Sequence, residues 1–407
     1  MGGGKALVVG GGIGGLAAAT DLRLVGWDVT VLERSPVLAD VGGGISLHAN
    51  GVRALDALGV GEAVRAAARP QYTGGTRAPD GSWLIRMDGK AIERAAGVPV
   101  LGVRWSALHR VLRAALPPEC LLTGREVTSV ERTGRAGAQV SLVSPARTTP
   151  EARSEADPAP LEADPAQMEA DLVVVADGVH SRLRGTLFPH HPGAVYSGST
   201  VLRAVTDRPI ALPSDLELTW GKGAEFGHIT FVDGHAEWHA VLTSPPGVRY
   251  ADALAAMRDR FAGWHDPIPA LLEATRPDAV LHHDIHELVT PLPCFTAGPI
   301  ALLGDAAHAM TPNLGQGAGQ ALEDATVLAA ALASEPTLAS ALAHYDTVRR
   351  HRTRTLARAA RQAGRAGHRL TNPTLIALRD TALRLTPSRP VISTFLRHTR
   401  WTPPSLG

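Results

Sequence analysis

Cysteine is nearly absent: Cys120 and Cys294 are the only two in 407 residues. Two thiols cannot build a disulfide framework or a four-ligand structural zinc site, so an apolar core has to hold the fold. Such sparse usage also fits a reducing compartment. Lysine is almost as scarce, with Lys5, Lys90 and Lys222 set against many arginines; we read that bias as high-GC coding, not chemistry. An excess of one charge is lacking too. A net charge of +1 gives no general electrostatic reason to expect nucleic acid or an anionic membrane as partner. No run of about 18 apolar residues occurs, so no membrane span is predicted. Residues 6–19 are apolar and small, but they carry a glycine array and are followed by Asp21 and Arg23, unlike a secretory signal. A cytoplasmic protein is expected. What is plentiful is apolar residue, at 44%, enough for the cores of about two to three domains.

Glycine is clustered where chemistry is expected. The strand-like run KALVV of residues 5–9 leads into Gly10-Gly11-Gly12-Ile13-Gly14-Gly15, and a helix follows through Leu16, Ala19 and Leu22. A second strand, residues 29–32, ends at Glu33-Arg34. Gly10, Gly12 and Gly15 fit G-x-G-x-x-G, and Glu33 lies 21 residues beyond Gly12. The pattern alone is weak; strand before, helix after and acid at this distance are the context of a dinucleotide site. Gly10 makes the turn, Gly12 lets a pyrophosphate approach, Gly15 allows close helix–strand packing, and Glu33 accepts from ribose hydroxyls. A second cluster is IALLGDAAHAMTPNLGQGAGQALED, residues 300–324. A strand breaks at Gly304-Asp305, crosses a loop with Pro312, Gly315, Gly317 and Gly319, and resumes as a helix, so that backbone N–H groups face an anion. A third candidate is Asp177-Gly178, after the buried-strand run DLVVVA of residues 171–176.

The rest of the chain organises around these. Residues 41–47 form another backbone-exposing turn, and a helix carrying Val52, Leu55 and Leu58 stops at Gly59. Residues 74–89 read as short strands, 101–116 as one helix ended by Pro117-Pro118, and 126–130 and 139–143 as strands. Residues 144–167, rich in Pro, Ala and acid without periodicity, read as a flexible surface insertion. Residues 196–244 alternate and carry Tyr196, Trp220, Phe226, Phe231 and Trp238, as an antiparallel sheet with one face open to substrate would. Residues 251–275 read as helical, 282–288 as a polar strand, and 339 onward as Arg-rich helix. His282, His283 and His286 have no matched carboxylate set, so no metal site is expected. The arginines of residues 349–369, interleaved with Ala and Leu, read as a solvated helix face.

Together the three sites resemble the single-component (class A) FAD-dependent aromatic hydroxylases of the p-hydroxybenzoate hydroxylase fold. The segment ADGVHSRLR, residues 176–184, looks like that family's Asp-Gly motif, and GDAAHAMTPNLGQGAGQALEDA like its Gly-Asp motif. The resemblance spans roughly residues 5–330. It implies an α/β fold: a Rossmann-like FAD-binding domain, discontinuous over 1–75, 100–186 and 281–345, an antiparallel substrate sheet from 76–99 and 187–280, and a helical segment at 346–407. The implied cofactor residues are Gly10, Gly12, Ile13, Gly14, Gly15, Glu33, Arg34, Gly44, Arg104, Val127, Asp177, Gly304, Asp305, Pro312, Gly315, Gln316, Gly317 and Ala318. Asp305 would meet the ribityl–pyrophosphate part of FAD and the loop at 312–319 would pass the flavin ring. At residues 103–108 Trp105 stands where the family's arginine is expected, with Arg104 one place early. Either Arg104 reaches the cofactor or Trp105 packs there.

The implied reaction uses NADH or NADPH to reduce the flavin, O₂ to form a flavin hydroperoxide, and that species to oxygenate a small, aromatic or polyketide-like substrate. The N–H groups of residues 314–317 and the helix starting near Gly319 suit the negative charge of reduced flavin. For catalysis, His228, His239, Tyr196 and Arg203 on the substrate sheet are the candidates, with the sheet face that meets the flavin left open. Alkene epoxidation by the same chemistry, and a flavin reductase or oxidase without oxygen insertion, are the alternatives. Oligomeric state is left open.

Overall fold

Uninterrupted apolar runs build the centre of a six-stranded sheet. In this computed structural model, which describes residues 3–38, 42–133, 137–143 and 166–405, Lys5–Val9 lies between Leu172–Val175 and Asp28–Glu33, parallel to both. Val8 stands opposite Val174 on one side and Val31 on the other. Ile300–Leu302 and Leu121–Thr123 extend the sheet in parallel, and Thr296–Ala297 closes one edge antiparallel. Leu172–Val175 is fully buried along its length, as a parallel sheet covered on both faces requires. Helix Ile13–Leu24 packs on this sheet and against helix Gly317–Ser334. Gly14 makes this close packing possible, since a Cβ there would fall 2.7 Å from the Leu303 side chain and 3.1 Å from Ala321 on that helix.

The topology brings the three sequence sites together. Residues 10–15, Asp177-Gly178 and Gly304-Asp305 each leave the carboxyl end of a strand, and those three strands are neighbours. Glu33 ends a fourth, next in order. Ligands of open parallel sheets bind at such ends.

A second layer is a seven-stranded, mainly antiparallel sheet in the order Leu281–Glu287, Val195–Val205, Ala236–Thr243, Ala224–Thr230, Leu216–Gly221, Thr73–Arg77 and Trp83–Asp88. It takes in Leu281–Glu287 and the start of Thr73–Arg77, across the boundaries drawn from sequence at 280/281 and 75/76. One face packs Leu202, Phe226, Trp238 and Leu242 against the helices Ala253–Arg260 and Ile268–Glu273. Two small three-stranded antiparallel sheets complete the β structure, and Leu338–Ala366, Pro373–Leu385 and Ser388–Thr399 form the C-terminal helices. The long helix Leu338–Ala366 crosses the boundary expected at 346.

Several sequence expectations are corrected. Leu101–Arg104 is a strand, paired with Gly44–Leu47 and Ala68–Pro70, and the helix begins only at Trp105. Its apolar residues satisfy either period, and strand partners from elsewhere in the chain decide. The helix expected over 251–275 is broken by Gly263, at positive φ, and by Pro267. Arg349 is no solvated residue: it is fully buried. The insertion expected at 144–167 lies outside the described residues except for its last two, which open the strand Ala166–Ala170. Among the described residues no helix is long and apolar enough to cross a membrane, and no group of three or more His, Cys, Asp or Glu is placed to hold a metal.

Candidate active site

Two cavities open at the strand ends. The first, of about 470 Å³, is lined by Gly10, Gly12, Glu33, Arg34, Val127 and Asp177, with Arg125 and His180 beside them. Gly10 sits at φ 109°, where only glycine is comfortable. A Cβ on Gly15 would fall 1.9 Å from the Gly10 carbonyl oxygen, while one on Gly12 would meet nothing within 4 Å. Gly12 therefore faces open space, and no side chain caps the helix that starts at Ile13. Its first N–H groups are available to an anion. Glu33 is held by the Gly11 and Ser35 N–H groups, which donate to its two oxygens at 2.7 and 2.8 Å. Asp177 Oδ1 is buried without a hydrogen-bond partner, an acceptor waiting for a ligand donor.

The second cavity, about 340 Å³, lies between the loop at 312–318 and the second sheet. Gly44, Asp305, Pro312, Gly315, Gln316, Gly317 and Ala318 line it. Helix Gly317–Ser334 likewise starts here without a side-chain cap. The Asp305 side chain is open to this cavity yet surrounded by protein. Burial, reinforced by Asp324 and opposed by His308 and Arg184, raises its pKa. Ile13, Gly14 and Gly304 line neither cavity; they shape the turns behind them.

Arg184, which sequence reasoning passed over, links the two sites. Its guanidinium donates to the carbonyls of Val179 at 2.8 Å and Ala306 at 3.1 Å, and it feels both Asp177 and Asp305. The visible signal was its place in the same ADGVHSRLR segment as Asp177.

Arg104 is not brought to either cavity. Its guanidinium pairs with Asp233 at 2.8 Å and lies 5.0 Å from the Phe231 ring centroid. Trp105 instead stacks on His109 at 4.6 Å, and His109 Nε2–H donates to the Gly11 carbonyl at 2.8 Å. Of the four catalytic candidates, the structure separates two pairs. Arg203 and His239 line the second cavity. His228 faces the opposite side of the sheet, 3.1 Å from the Ser214 carbonyl, its pKa lowered by burial against the opposing pull of Ser214 and Glu217. Tyr196 donates to the Ser244 carbonyl at 2.8 Å, away from the cavity.

Beneath the loop runs a buried ion network. Asp324 accepts from Gly304 N–H at 2.8 Å, from His308 Nε2 at 2.6 Å and from Arg349 Nε at 2.6 Å. Arg349 also pairs with Glu323 and donates to Gln320, and Asn50 Nδ2 reaches both Gln316 and Glu323, at 2.9 and 2.7 Å. The turn and the loop are thus positioned by side chains far from them in sequence.

Uncapped helix starts at two cavities linked by Arg184, a fixed ribose-type acceptor and a carboxylate with one buried, unpartnered oxygen suit a long dinucleotide. Residues 4–199 and 285–360 match the family described as FAD binding domain. The chain belongs to that family and is an FAD-dependent monooxygenase of the aromatic hydroxylase type. It is 35% identical to the aurachin C monooxygenase/isomerase of Stigmatella aurantiaca, over 98% of both chains. It is 34% identical to the 3-amino-4-hydroxybenzoate 2-monooxygenase PtnB3 of Streptomyces platensis, over 89% of this chain and 88% of the relative. Klebsiella pneumoniae HpxO, solved with FAD and uric acid, superposes with a TM-score of 0.86 at 26% identity, over 97% of this chain and 96% of that one.

Proposed function

We propose that this enzyme uses NADH or NADPH and O₂ to insert one oxygen atom into a small aromatic or polyketide-like molecule held in the second cavity. The observation that supports the reading is the meeting, at that cavity, of an uncapped helix start with a polar sheet face. In this proposal Gly10, Gly12 and Gly15 with Glu33 would hold the adenosine half of FAD, and Asp305 and the 312–317 loop would hold the rest. When bound, FAD supplies the redox chemistry: reduction by the nicotinamide, uptake of O₂, transfer of one oxygen to substrate and loss of the other as water. The chain's own residues do the rest. The N-terminus of Gly317–Ser334 favours negative charge on the reduced ring. The two walls enclose the substrate and keep water from the reacting centre. His239 sits at the wall with its pKa raised: burial works against the charge, but Glu237 and Glu225 outweigh it. It can hold a proton beside the substrate. A cytoplasmic location, where reduced nicotinamides are replenished, belongs to the same proposal.

The test is turnover of FAD-loaded enzyme with NADH or NADPH under isotopically labelled O₂, across a panel of phenols, aminophenols and hydroxylated heterocycles. We expect a product carrying one labelled oxygen. Nicotinamide oxidation that yields only hydrogen peroxide across the panel would overturn the proposal in favour of an oxidase or reductase, and labelled epoxide from an alkene added to the panel, with no hydroxylated product, would replace hydroxylation.

A further inference from the structure

A third hollow, of about 80 Å³, lies between the segment 288–295 and the long helix Leu338–Ala366. It shares no lining residue with either cavity described above. Leu288, Leu292, Phe295 and Ala357 give it apolar walls, and Arg354, Arg358 and Arg361 stand along the helix side. Arg361 is committed, pairing with Glu287 at 2.8 Å. Arg354 and Arg358 have no carboxylate or hydrogen-bond partner among the described residues. Four residues apart, they share one face of the helix.

A buried histidine stands against these two free cations. The His308 ring lines the hollow and is 7% exposed. Its Nε2 lies 2.6 Å from Asp324 Oδ2. An ionised carboxylate only accepts, so Nε2 carries a hydrogen. Nδ1 is buried without a partner, and buried polar atoms are ordinarily satisfied. An anion in the hollow favours the form of His308 with both nitrogens protonated, whose Nδ1–H is a donor.

The walls decide which anion fits. Apolar residues offer nothing to the several oxygens of a phosphate, whereas a carboxylate concentrates its charge at one end. Two guanidiniums on one helix face match a single two-oxygen head, and a short hydrocarbon body would cover the apolar residues. One short helix joins the hollow to the second cavity: Asp305, which opens it, lines the cavity, and His308, which closes it, lines the hollow. Asp324, which holds His308, also accepts from the Gly304 N–H. An occupant that engages His308 therefore acts on the turn that presents Asp305.

We propose that this hollow binds a small organic carboxylate with an apolar body, held by Arg354 and Arg358, and that its occupation is coupled through His308 to the Asp305 turn. The site is separate from the substrate cavity and does not depend on the oxygenation proposed above.

Hexanoate, its uncharged counterpart hexanamide and inorganic phosphate test it by calorimetric titration of the FAD-loaded enzyme. We expect hexanoate to bind at least about tenfold more tightly than hexanamide, as a hydrogen bond to a charged group provides, and more tightly than phosphate. The flavin absorbance should shift as the site fills. Arg354→Gln with Arg358→Gln, and separately Ala357→Trp, which fills the hollow, should abolish both the binding and the shift while FAD affinity stays unchanged. No hexanoate binding, equal affinity for hexanamide, tighter binding of phosphate, or binding that both variants retain would overturn the site; the last would place hexanoate in another cavity. Binding that the variants lose, with no flavin shift in the wild type, would overturn the coupling to Asp305.

Discussion

The two cradles at the strand ends look alike, each a glycine-rich turn leading into an uncapped helix, yet they are made differently. The loop at residues 10–15 is specified mainly by its own backbone and the next strand, with His109 as its one remote support. Gly10 adopts φ 109°, Gly15 leaves no room for a Cβ, and Glu33, which accepts from the Gly11 N–H, ends the next strand. The turn at Gly304 and the loop to Gly317 are positioned from a distance. Asp324 and Glu323 stand on the following helix and Arg349 on the one after, fully buried among them. A local cradle can be read from a motif and broken by a methyl group. A remote one depends on balanced buried charges, which contribute little net stability when complete and cost much when one is removed.

The largest effect should come from unbalancing the second cradle. Arg349→Met removes the guanidinium shared by Glu323 and Asp324, leaving Glu323 to Arg352 and Asp324 to His308, and should lower stability by about 3–5 kcal/mol, measured by urea denaturation. Adding Asp324→Asn to it, which leaves Glu323 balanced by Arg352, should recover part of the loss. If the double variant is no more stable than the single one, the network is not held together by charge balance.

Asp21 couples the two regions, because Thr326 on the second cradle's helix donates to it at 3.1 Å. Burial pushes its pKa up from 3.8 to about 7, with Thr326 opposing. The folded chain then holds a proton that the unfolded chain has released, so stability is full below about pH 4 and falls as pH rises toward 7. The total from this group is at most about 4 kcal/mol. Asp21→Asn should flatten that slope and give a higher melting temperature above pH 7; an unchanged pH profile would show that Asp21 is not the group responsible.

Smaller effects should separate glycines within the first cradle. Gly15→Ala forces a clash with backbone and should cost about 1–3 kcal/mol in stability. Gly12→Ala meets open space in the protein, so calorimetry should find its stability within about 0.5 kcal/mol of the wild type, while FAD titration finds weaker binding. Equal FAD affinity for Gly12→Ala and the wild type would mean that the cofactor does not approach there. The smallest change is expected from Glu33→Gln, which keeps one acceptor and should weaken FAD by less than about tenfold.

Legibility in the sequence follows the same division. The strand–glycine–helix–acid pattern and the two Asp/Gly turns were visible because each is a local demand on backbone geometry. Arg349 looked solvated because helical spacing records a face and not what covers it. The strand at Leu101–Arg104 was hidden because its apolar residues suit either period and its partners lie elsewhere in the chain. Arg104 could be named, but its capture by Asp233, 129 residues away, could not. The alternation of residues 196–244 implied a two-faced sheet; which face meets the cavity, and so the separation of His239 and Arg203 from His228, required the packing of the whole chain.

The most direct test of this account is a crystal structure of the enzyme with FAD bound. It should show one FAD per chain, with its pyrophosphate at Gly12 and the start of Ile13–Leu24 and its ring edge at the start of Gly317–Ser334. FAD bound through one cradle alone, or with its ring outside the cavity walled by Glu225 and His239, would contradict it.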